Sequence, residues 1–544
     1  MTDSRAGLNR PLTDALLLAG FCGFLFFFGL AHFGLVGADE PRYAQVAREM
    51  LERHDWITPT LGGTPWLEKP TLYYWQAMLA YRVFGVSDWA SRLPSAFDAT
   101  LLVLGVYFFL RRFRPGSQLD GALMAASAAG IVGFARAASM DMALAASFAI
   151  ALLAWFGWQQ DGRRSWLSIF YAGIALGTLA KGPVAPFLAA VIIVLFAWAK
   201  GEWQLAWRTL WIPGILLYCL LALPWFIAVQ SRNPEFFRVF VLQHNLARFG
   251  SDLYHHKQPF WYYVPVTIIA QLPWVSFIVI SGWETLRAWW SEKRDVFRSE
   301  NSFRIFLLIW ILIPVAFFSA SQSKLPGYIL PALPAGTLLL VEYLRKHGGS
   351  GRPSFVTTAL HAVIAAAPIV PALMIQYIVQ QHRLPWGRGL IISLTLALAV
   401  AVGIVLTLRL QSGLRLLRFV TLIPIVLTVA IVLRLGSQEL DAQLSARPFA
   451  AEITRMDNGT LPLAISHVPR EVEYGLHFYR NQKIAHYGLG EIPTTQHVVV
   501  APQGSQARLA AKFPDRRITY LGTYAPMGLD YYWVSAPGMT HSMH

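Results

Sequence analysis

The sequence predicts an all-α polytopic membrane protein of about 13 transmembrane helices, with amphipathic helices in its outer loops and a small C-terminal α/β domain outside the bilayer. Three observations predict it. Hydrophobic residues make up 55% of the 544 and charged residues only 14%, which lies outside the range of soluble globular chains. Apolar runs recur as far as residue 434, many of them near the ~20 residues needed to cross ~30 Å of hydrocarbon. Beyond Leu435 the runs shorten, and Gly, Pro and Asn punctuate them regularly.

The runs fall at 12–36, 96–112, 119–137, 142–158, 166–180, 184–199, 209–229, 263–281, 305–320, 328–343, 355–379, 389–408 and 419–434. The first has an apolar core too long for a cleavable signal and no small-residue cleavage site after it, so it is expected to stay as an anchor. Residues 437–544 hold nine Lys+Arg and nine Asp+Glu, so the net charge of +15 belongs entirely to the membrane part. Arg111-Arg112-Arg114, Arg163-Arg164, Lys200 with Arg208, the stretch 287–304 and Arg409-Arg415-Arg418 lie in alternate loops. By the positive-inside rule these loops and the N-terminus are cytoplasmic, and the C-terminal domain is outside. The basic excess therefore marks orientation and not a nucleic-acid partner. Cys22 and Cys219 both sit inside predicted runs, far apart in sequence, and imply no disulfide framework.

Residues 1–436 form the membrane domain, and two of its outer loops, 37–95 and 230–262, are long enough to suggest function. In the first, Tyr43, Val46, Ala47, Met50 and Leu51 make an amphipathic face for the membrane interface. Thr58-Pro59 and Gly62-Gly63 then turn the chain before WLEKPTLYYW returns to the bilayer. The second loop contains FRVFVLQHNLARFG and DLYHHKQPFWYYVP, both basic and aromatic. In residues 437–544, PLAISH, HVVVAP and RITYLGTY read as strands, and RPFAAEITRM and SQARLAAKF as helices. That domain has no Gly-rich phosphate loop, nucleophile elbow or metal-ligand spacing, which favours a structural or docking role.

Charged groups crowd the edge of the first run: Asp39, Glu40 and Arg42, then Glu68 and Lys69. Ionisable groups there are expensive unless they hold something charged. The Asp-Glu pair with Arg42 makes a compact site for a charged ligand; the alternative is that Asp39 caps the interfacial helix, with Pro41 in its first turn. Lys69 suits a phosphate as a point charge, or else snorkels to the headgroups or pairs with Glu68. In SQSKLPGYILPALPA, three prolines and a glycine break the entry to a span, which would line a cavity with Lys324 and Tyr328 or make an ordinary Pro-rich turn.

Taken together, Asp39-Glu40 with Arg42-Tyr43, then LEKPTLYYW, HNLARF, HKQPFWYY and KLPGYILP, resemble the bacterial undecaprenyl phosphate-alpha-4-amino-4-deoxy-L-arabinose arabinosyl transferases. These are lipid A modifying relatives of protein O-mannosyltransferases with the GT-C membrane glycosyltransferase architecture. The motifs cover about the first 340 residues in order. The resemblance implies an inverting pentosyltransferase of the Gram-negative inner membrane that moves aminoarabinose from undecaprenyl phosphate to lipid A phosphates and confers resistance to polymyxin and other cationic peptides. It implies Asp39 and Glu68 as catalytic and Arg42, Lys69, Tyr328 and Lys324 as donor-phosphate ligands. Glu40, Tyr43, Tyr74, Arg248 and His256 would line the cavity. No cofactor is implied as required; a divalent cation such as zinc, held by Glu68 and His256, is the alternative. One departure is His244-Asn245, where the family has an acid followed by a histidine; this argues against a catalytic role for His244 and leaves His256 the better candidate. The expected partners are the lipid donor, lipid A and the phospholipid bilayer, with no nucleic acid, and the protein is expected to be a monomer. Two other classes fit some features: a GT-C transferase using another sugar or a protein hydroxyl, and a lipid flippase or secondary transporter. The second is disfavoured by charges on one face, an odd span count and no inverted repeat.

Overall fold

The computed structural model describes residues 11–247, 258–298, 301–347, 354–379, 388–410 and 413–538. Each of the thirteen apolar runs carries helix over most of its length. Among the described residues, however, eight helices are long and apolar enough to cross a bilayer, or ten if two bent pairs each count as one span. The bends are 65° between Gln118–Ser127 and Ala129–Ala135, and 117° between Phe260–Ala270 and Val275–Glu292. A hydropathy window averages across such breaks, and it also accepts the apolar helices Pro11–Phe27 and Val184–Lys200, which are shorter than those eight.

The first run is corrected at its end. Its helix, Pro11–Cys22, continues as a wider turn over Gly23–Phe27 and stops, with Gly29 at φ +71°, although apolar residues continue to Val36. A helix end leaves carbonyls without partners, and two arginines from elsewhere meet the carbonyls there and in the segment that follows. Arg136 donates to the carbonyls of Leu25, Phe28 and Gly29 at 3.1, 2.8 and 3.1 Å. Arg92 donates to those of Leu30, Phe33 and Gly34 at 2.7, 2.8 and 2.7 Å. The chain is thereby aimed into the helix Asp39–Glu52, the interfacial helix expected from its apolar face.

That helix buries Tyr43, Val46, Ala47 and Met50 against Tyr73, Tyr74, Met78 and Tyr81 of a second helix, Leu72–Phe84. Between them a hairpin of β1 (Thr60–Leu61) and β2 (Thr64–Pro65) turns on Gly62 and Gly63, at φ +61° and +79°. Two consecutive positive φ values suit glycine. Glu49 secures the turn by accepting from Thr60 Oγ1 at 2.8 Å and from the Gly62 and Gly63 amides at 2.7 and 3.1 Å. The next helix starts at Asp88, capped by the Ser87 hydroxyl, so the end of the expected 37–95 loop is already the first two turns of a membrane helix, Asp88–Phe113.

The C-terminal region has the expected elements at Arg447–Asp457, Leu463–Ile465 (β3), His497–Pro502 (β5), Gln506–Lys512 and Ile518–Tyr524 (β6). It adds a helix, Arg470–Arg480, and the strands Ile484–His486 (β4) and Leu529–Val534 (β7). The sheet order is β4-β3-β5-β7-β6; β3 runs parallel to β4 and β5, and β7 antiparallel to β5 and β6. Helix Arg470–Arg480 lies along the interfacial helix: Arg48 Nη1 donates to the Phe478 carbonyl at 3.2 Å, and Asn481 to Glu52 at 3.3 Å. A second joint forms at Asp88, which accepts from Arg447 at 2.9 Å and from the Tyr479 hydroxyl at 2.6 Å. The same hydroxyl accepts from the Leu35 amide at 2.7 Å.

Candidate active site

Asp39 and Arg42 stand three residues apart on the first turns of the interfacial helix, a spacing that puts them on one face. Arg42 Nη2 donates to Asp39 Oδ1. The guanidinium carbon lies 5.1 Å from the ring centre of Tyr43, 5.2 Å from that of Trp66 and 5.4 Å from that of Tyr474, so three aromatic rings surround it. Burial works against its charge, but Tyr43, Asp39 and Glu68 outweigh that cost and hold its pKa above the ordinary value. Burial and Asp39 likewise push the Tyr43 hydroxyl up, keeping it a proton donor. Arg42 Nε and the Tyr74 hydroxyl are both buried with no hydrogen-bond partner. Buried polar groups left open are rare and need an explanation; an anion seated beside Arg42 would satisfy both.

Glu40, one residue away, has the opposite fate. It is buried, accepts from Arg92 at 2.6 and 3.2 Å, and accepts from the Val36 and Ala138 amides at 2.8 and 2.7 Å. Its expected place in the substrate cavity is therefore taken up by structure.

Lys69, at the far end of the loop, acts electrostatically on Asp141, which opens the helix Asp141–Asp161. Asp141 pairs with Lys181 and accepts from Ser139 Oγ at 2.7 Å. The Lys181 ammonium stands 4.3 Å from the Tyr328 ring centre. Tyr328 sits on the short turn Pro326–Ala332, where a Cβ on Gly327 would come within 2.7 Å of Asp141 Cγ, so the broken entry presses its backbone onto this acid. Asp141 also acts on Tyr43 and Glu68 on Arg42, which joins both ends of the loop into one field of three acids, Asp39, Glu68 and Asp141, and three bases, Arg42, Lys69 and Lys181. A cavity of about 440 Å³ adjoins the cluster, walled by Trp66, Glu68, Arg232, Asn233 and Glu235.

Asp39, Arg42, Tyr43, Glu68, Lys69, Tyr74 and Tyr328 thus gather in this region. Lys324 is buried and turned onto its own loop, donating to the Ser321 carbonyl. Arg248 and His256 lie outside the described residues, and so does any metal pairing of Glu68 with His256. Among the described residues no three His, Cys, Asp or Glu side chains are grouped to hold a metal. Sequence reasoning missed Asp141, Lys181 and Tyr474. The first two had a signal: an acid and a base where apolar runs break, in SMDM and AKGP.

Residues 15–240 match the family model of dolichyl-phosphate-mannose-protein mannosyltransferases. The undecaprenyl phosphate-alpha-4-amino-4-deoxy-L-arabinose arabinosyl transferase of Pseudomonas aeruginosa (strain UCBPP-PA14) is 34% identical over 352 residues, 62% of this chain and 61% of that protein. Its namesake from Erwinia tasmaniensis is 30% identical over 383 residues, 69% and 66% of the two chains. The chain therefore spans a little under two thirds of the length of these relatives. The crystal structure of ArnT from Cupriavidus metallidurans bound to undecaprenyl phosphate superposes with a TM-score of 0.76, covering 96% of this chain and 98% of that one at 22% identity. In sequence the chain is similar to the aminoarabinose transferases, and it shares the fold of the ArnT crystal structure.

Proposed function

We propose that the protein transfers 4-amino-4-deoxy-L-arabinose from undecaprenyl phosphate to a phosphate of lipid A, at the periplasmic face of the Gram-negative inner membrane. One observation carries the reading: a charge-balanced cluster centred on Arg42, with an open buried donor, at the edge of the membrane domain. The similarity to proteins that bear this activity in their names supports the choice of sugar and carrier.

In the reaction an oxygen of the acceptor phosphate forms a bond to the anomeric carbon while the bond from that carbon to the carrier's phosphate breaks. The electron pair leaves with undecaprenyl phosphate, and the anomeric configuration inverts. A phosphate acceptor is already ionised near neutral pH, so no strong base is needed. The barrier lies in charge separation, positive at the sugar ring and negative on the departing phosphate. Arg42 and Lys69 stabilise the phosphate, and Tyr74 donates to it. Asp39 orients the sugar and its ammonium group, Glu68 supports the ring charge, and Tyr328 lies alongside the lysines. The reaction as written requires no cofactor; zinc between Glu68 and His256 is the alternative.

Thirteen crossings place the N-terminus in the cytoplasm and residues 437–544 in the periplasm, and the protein works as a monomer without nucleic acid. Reporters fused after Gly436 are then active in the periplasm and those near Arg112 in the cytoplasm; the reverse at both sites refutes the orientation. An added ammonium lowers the negative charge of lipid A and so its pull on cationic peptides such as polymyxin.

The match to the mannosyltransferase model favours one second reading, a polyprenyl-phosphate transferase with a protein hydroxyl acceptor. Mass spectrometry of lipid A from cells with and without the protein separates the two. An aminopentose on a lipid A phosphate only in the first supports the transfer; unchanged lipid A beside newly glycosylated protein supports the second.

A further inference from the structure

We infer that Tyr474 of the C-terminal domain is a positioning residue for the Arg42 guanidinium, so that this domain completes the donor-phosphate site; the inference rests on the reading of Arg42 given above. Tyr474 lies 432 positions along the chain from Arg42, yet its ring centre is 5.4 Å from the guanidinium carbon, close to the 5.1 and 5.2 Å of the two rings supplied by the outer loop itself. Tyr474 is buried in the same cluster as Tyr43, Tyr73, Tyr74 and Met140, and Phe478 joins it one turn further on. A domain that merely rested on the loop would not need its helix threaded into the loop's core.

Two joints fix the approach. Along the helix Arg470–Arg480, the Phe478 carbonyl and Asn481 are tied to Arg48 and Glu52 of the interfacial helix. In the same last turn Tyr479 bridges Asp88 and the Leu35 amide, and Arg447 joins Asp88 to Asp441 at 2.9 and 2.6 Å. Gly34 is part of this joint: its amide donates to Asp441 at 2.7 Å, and a Cβ there would come within 2.2 Å of Ser445 Oγ.

The chemistry follows from the geometry. Arg42 is mostly buried; its Nη2 donates to Asp39 and, at 3.4 Å, to the Tyr43 hydroxyl, while its Nε makes no hydrogen bond, so polar contacts hold only one corner of its plane. Aromatic faces orient a guanidinium by attraction to the ring while leaving its N–H edge free. Tyr43, Trp66 and Tyr474 together hold the plane so that an edge is presented to an anion. With Tyr474 removed, one side of that cage opens and the guanidinium is free to pivot about its contact with Asp39 towards solvent.

The test is a double-mutant cycle on purified full-length protein in detergent, measuring the Kd of undecaprenyl phosphate. Tyr474→Leu and Tyr474→Met keep apolar volume and remove the ring; each is expected to raise the Kd about fivefold in the parent and less than about twofold in an Arg42→Ala background. Tyr474→Phe, which keeps the ring and loses the hydroxyl, restores binding to within about twofold. An equal loss in both backgrounds, or a Tyr474→Leu protein with parental Kd while Arg42→Ala is weakened, overturns the role of Tyr474 and leaves that of Arg42 standing. Arg42→Ala binding with parental Kd overturns both.

Discussion

Replacing Glu40 tests the division of labour between two adjacent acids. Glu40 and Arg92 are 6% and 1% exposed, and their carboxylate and guanidinium meet at 2.6 and 3.2 Å. In Glu40→Ala the Arg92 charge stays buried without its counter-ion, at a cost of about 3–5 kcal/mol for one broken buried pair. The Val36 and Ala138 amides also lose their acceptor, at about 1–3 kcal/mol each if water cannot replace it. These terms share one site and do not add in full, but even the first is a large part of the ~5–15 kcal/mol by which domains are stable. Thermal unfolding in detergent, followed by intrinsic tryptophan fluorescence, should show a melting midpoint several degrees below the parent's. Asp39→Asn is the control, because Asp39 is half-exposed and contacts only the Arg42 side. It should melt with the parent while losing turnover far more than donor affinity. A Glu40→Ala protein that melts with the parent would refute the structural reading of Glu40, and an Asp39→Asn enzyme turning over at the parental rate would reduce Asp39 to part of the helix start.

Lys69→Ala should weaken undecaprenyl phosphate binding without lowering the melting midpoint, and Arg42→Lys should restore only part of what Arg42→Ala loses, since an ammonium lacks the planar fork; parental affinity in the Lys69→Ala, Arg42→Ala double variant would place the phosphate elsewhere. Burial holds the His477 imidazole down to about 4, against 6.5 when exposed. The unfolded chain thus takes up its proton first on acidification, so stability is full above about pH 6.5 and falls towards pH 4 by up to about 3 kcal/mol. Chemical denaturation of His477→Gln at pH 7 and pH 5 should show a smaller difference than the parent, and an equal difference would rule His477 out as its source. Turnover should survive exhaustive chelation of divalent ions, with loss and recovery on adding zinc pointing instead to a metal at Glu68.

The charged loop was legible in sequence because local features carry it: Asp39 and Arg42 share a helix face, Gly62-Gly63 needs a turn, and Glu68-Lys69 returns to the membrane edge. Glu40 was misplaced because its neighbour's chemistry hides a difference of one helical step, about 100°, which turns one acid towards Arg42 and the other towards Arg92. Arg92 itself read as part of a loop; only the fold shows that the first helix stops early and that two arginines hold the carbonyls at its end and in the chain beyond it. Tyr474 had no signal of any kind, since a tyrosine in an amphipathic helix is ordinary and its partner lies in another domain. The thirteen runs outnumber the spans that length and composition support for a related reason: two runs bend at Ala128 and near Gln271 at no cost in hydrophobicity, and Pro11–Phe27 and Val184–Lys200 are apolar but short.

The balance of charge in the site bears on the order of events in the proposed reaction. Three acids and three bases leave the empty cluster near neutral, which limits the cost of keeping six ionisable groups at a membrane edge. The donor enters as a similar compromise, one negative charge on its phosphodiester and one positive on its sugar. Transfer breaks that symmetry. The ammonium departs with lipid A, and undecaprenyl phosphate remains with about −1.5 to −2 charges. The same Arg42 and Lys69 that held a monoanion then face nearly a dianion, and Asp39 loses the sugar ammonium and keeps only Arg42 as its cation. The site therefore grips the spent carrier more firmly than the loaded one, and product release, not sugar transfer, becomes the step most sensitive to neutralising a single base in this cluster.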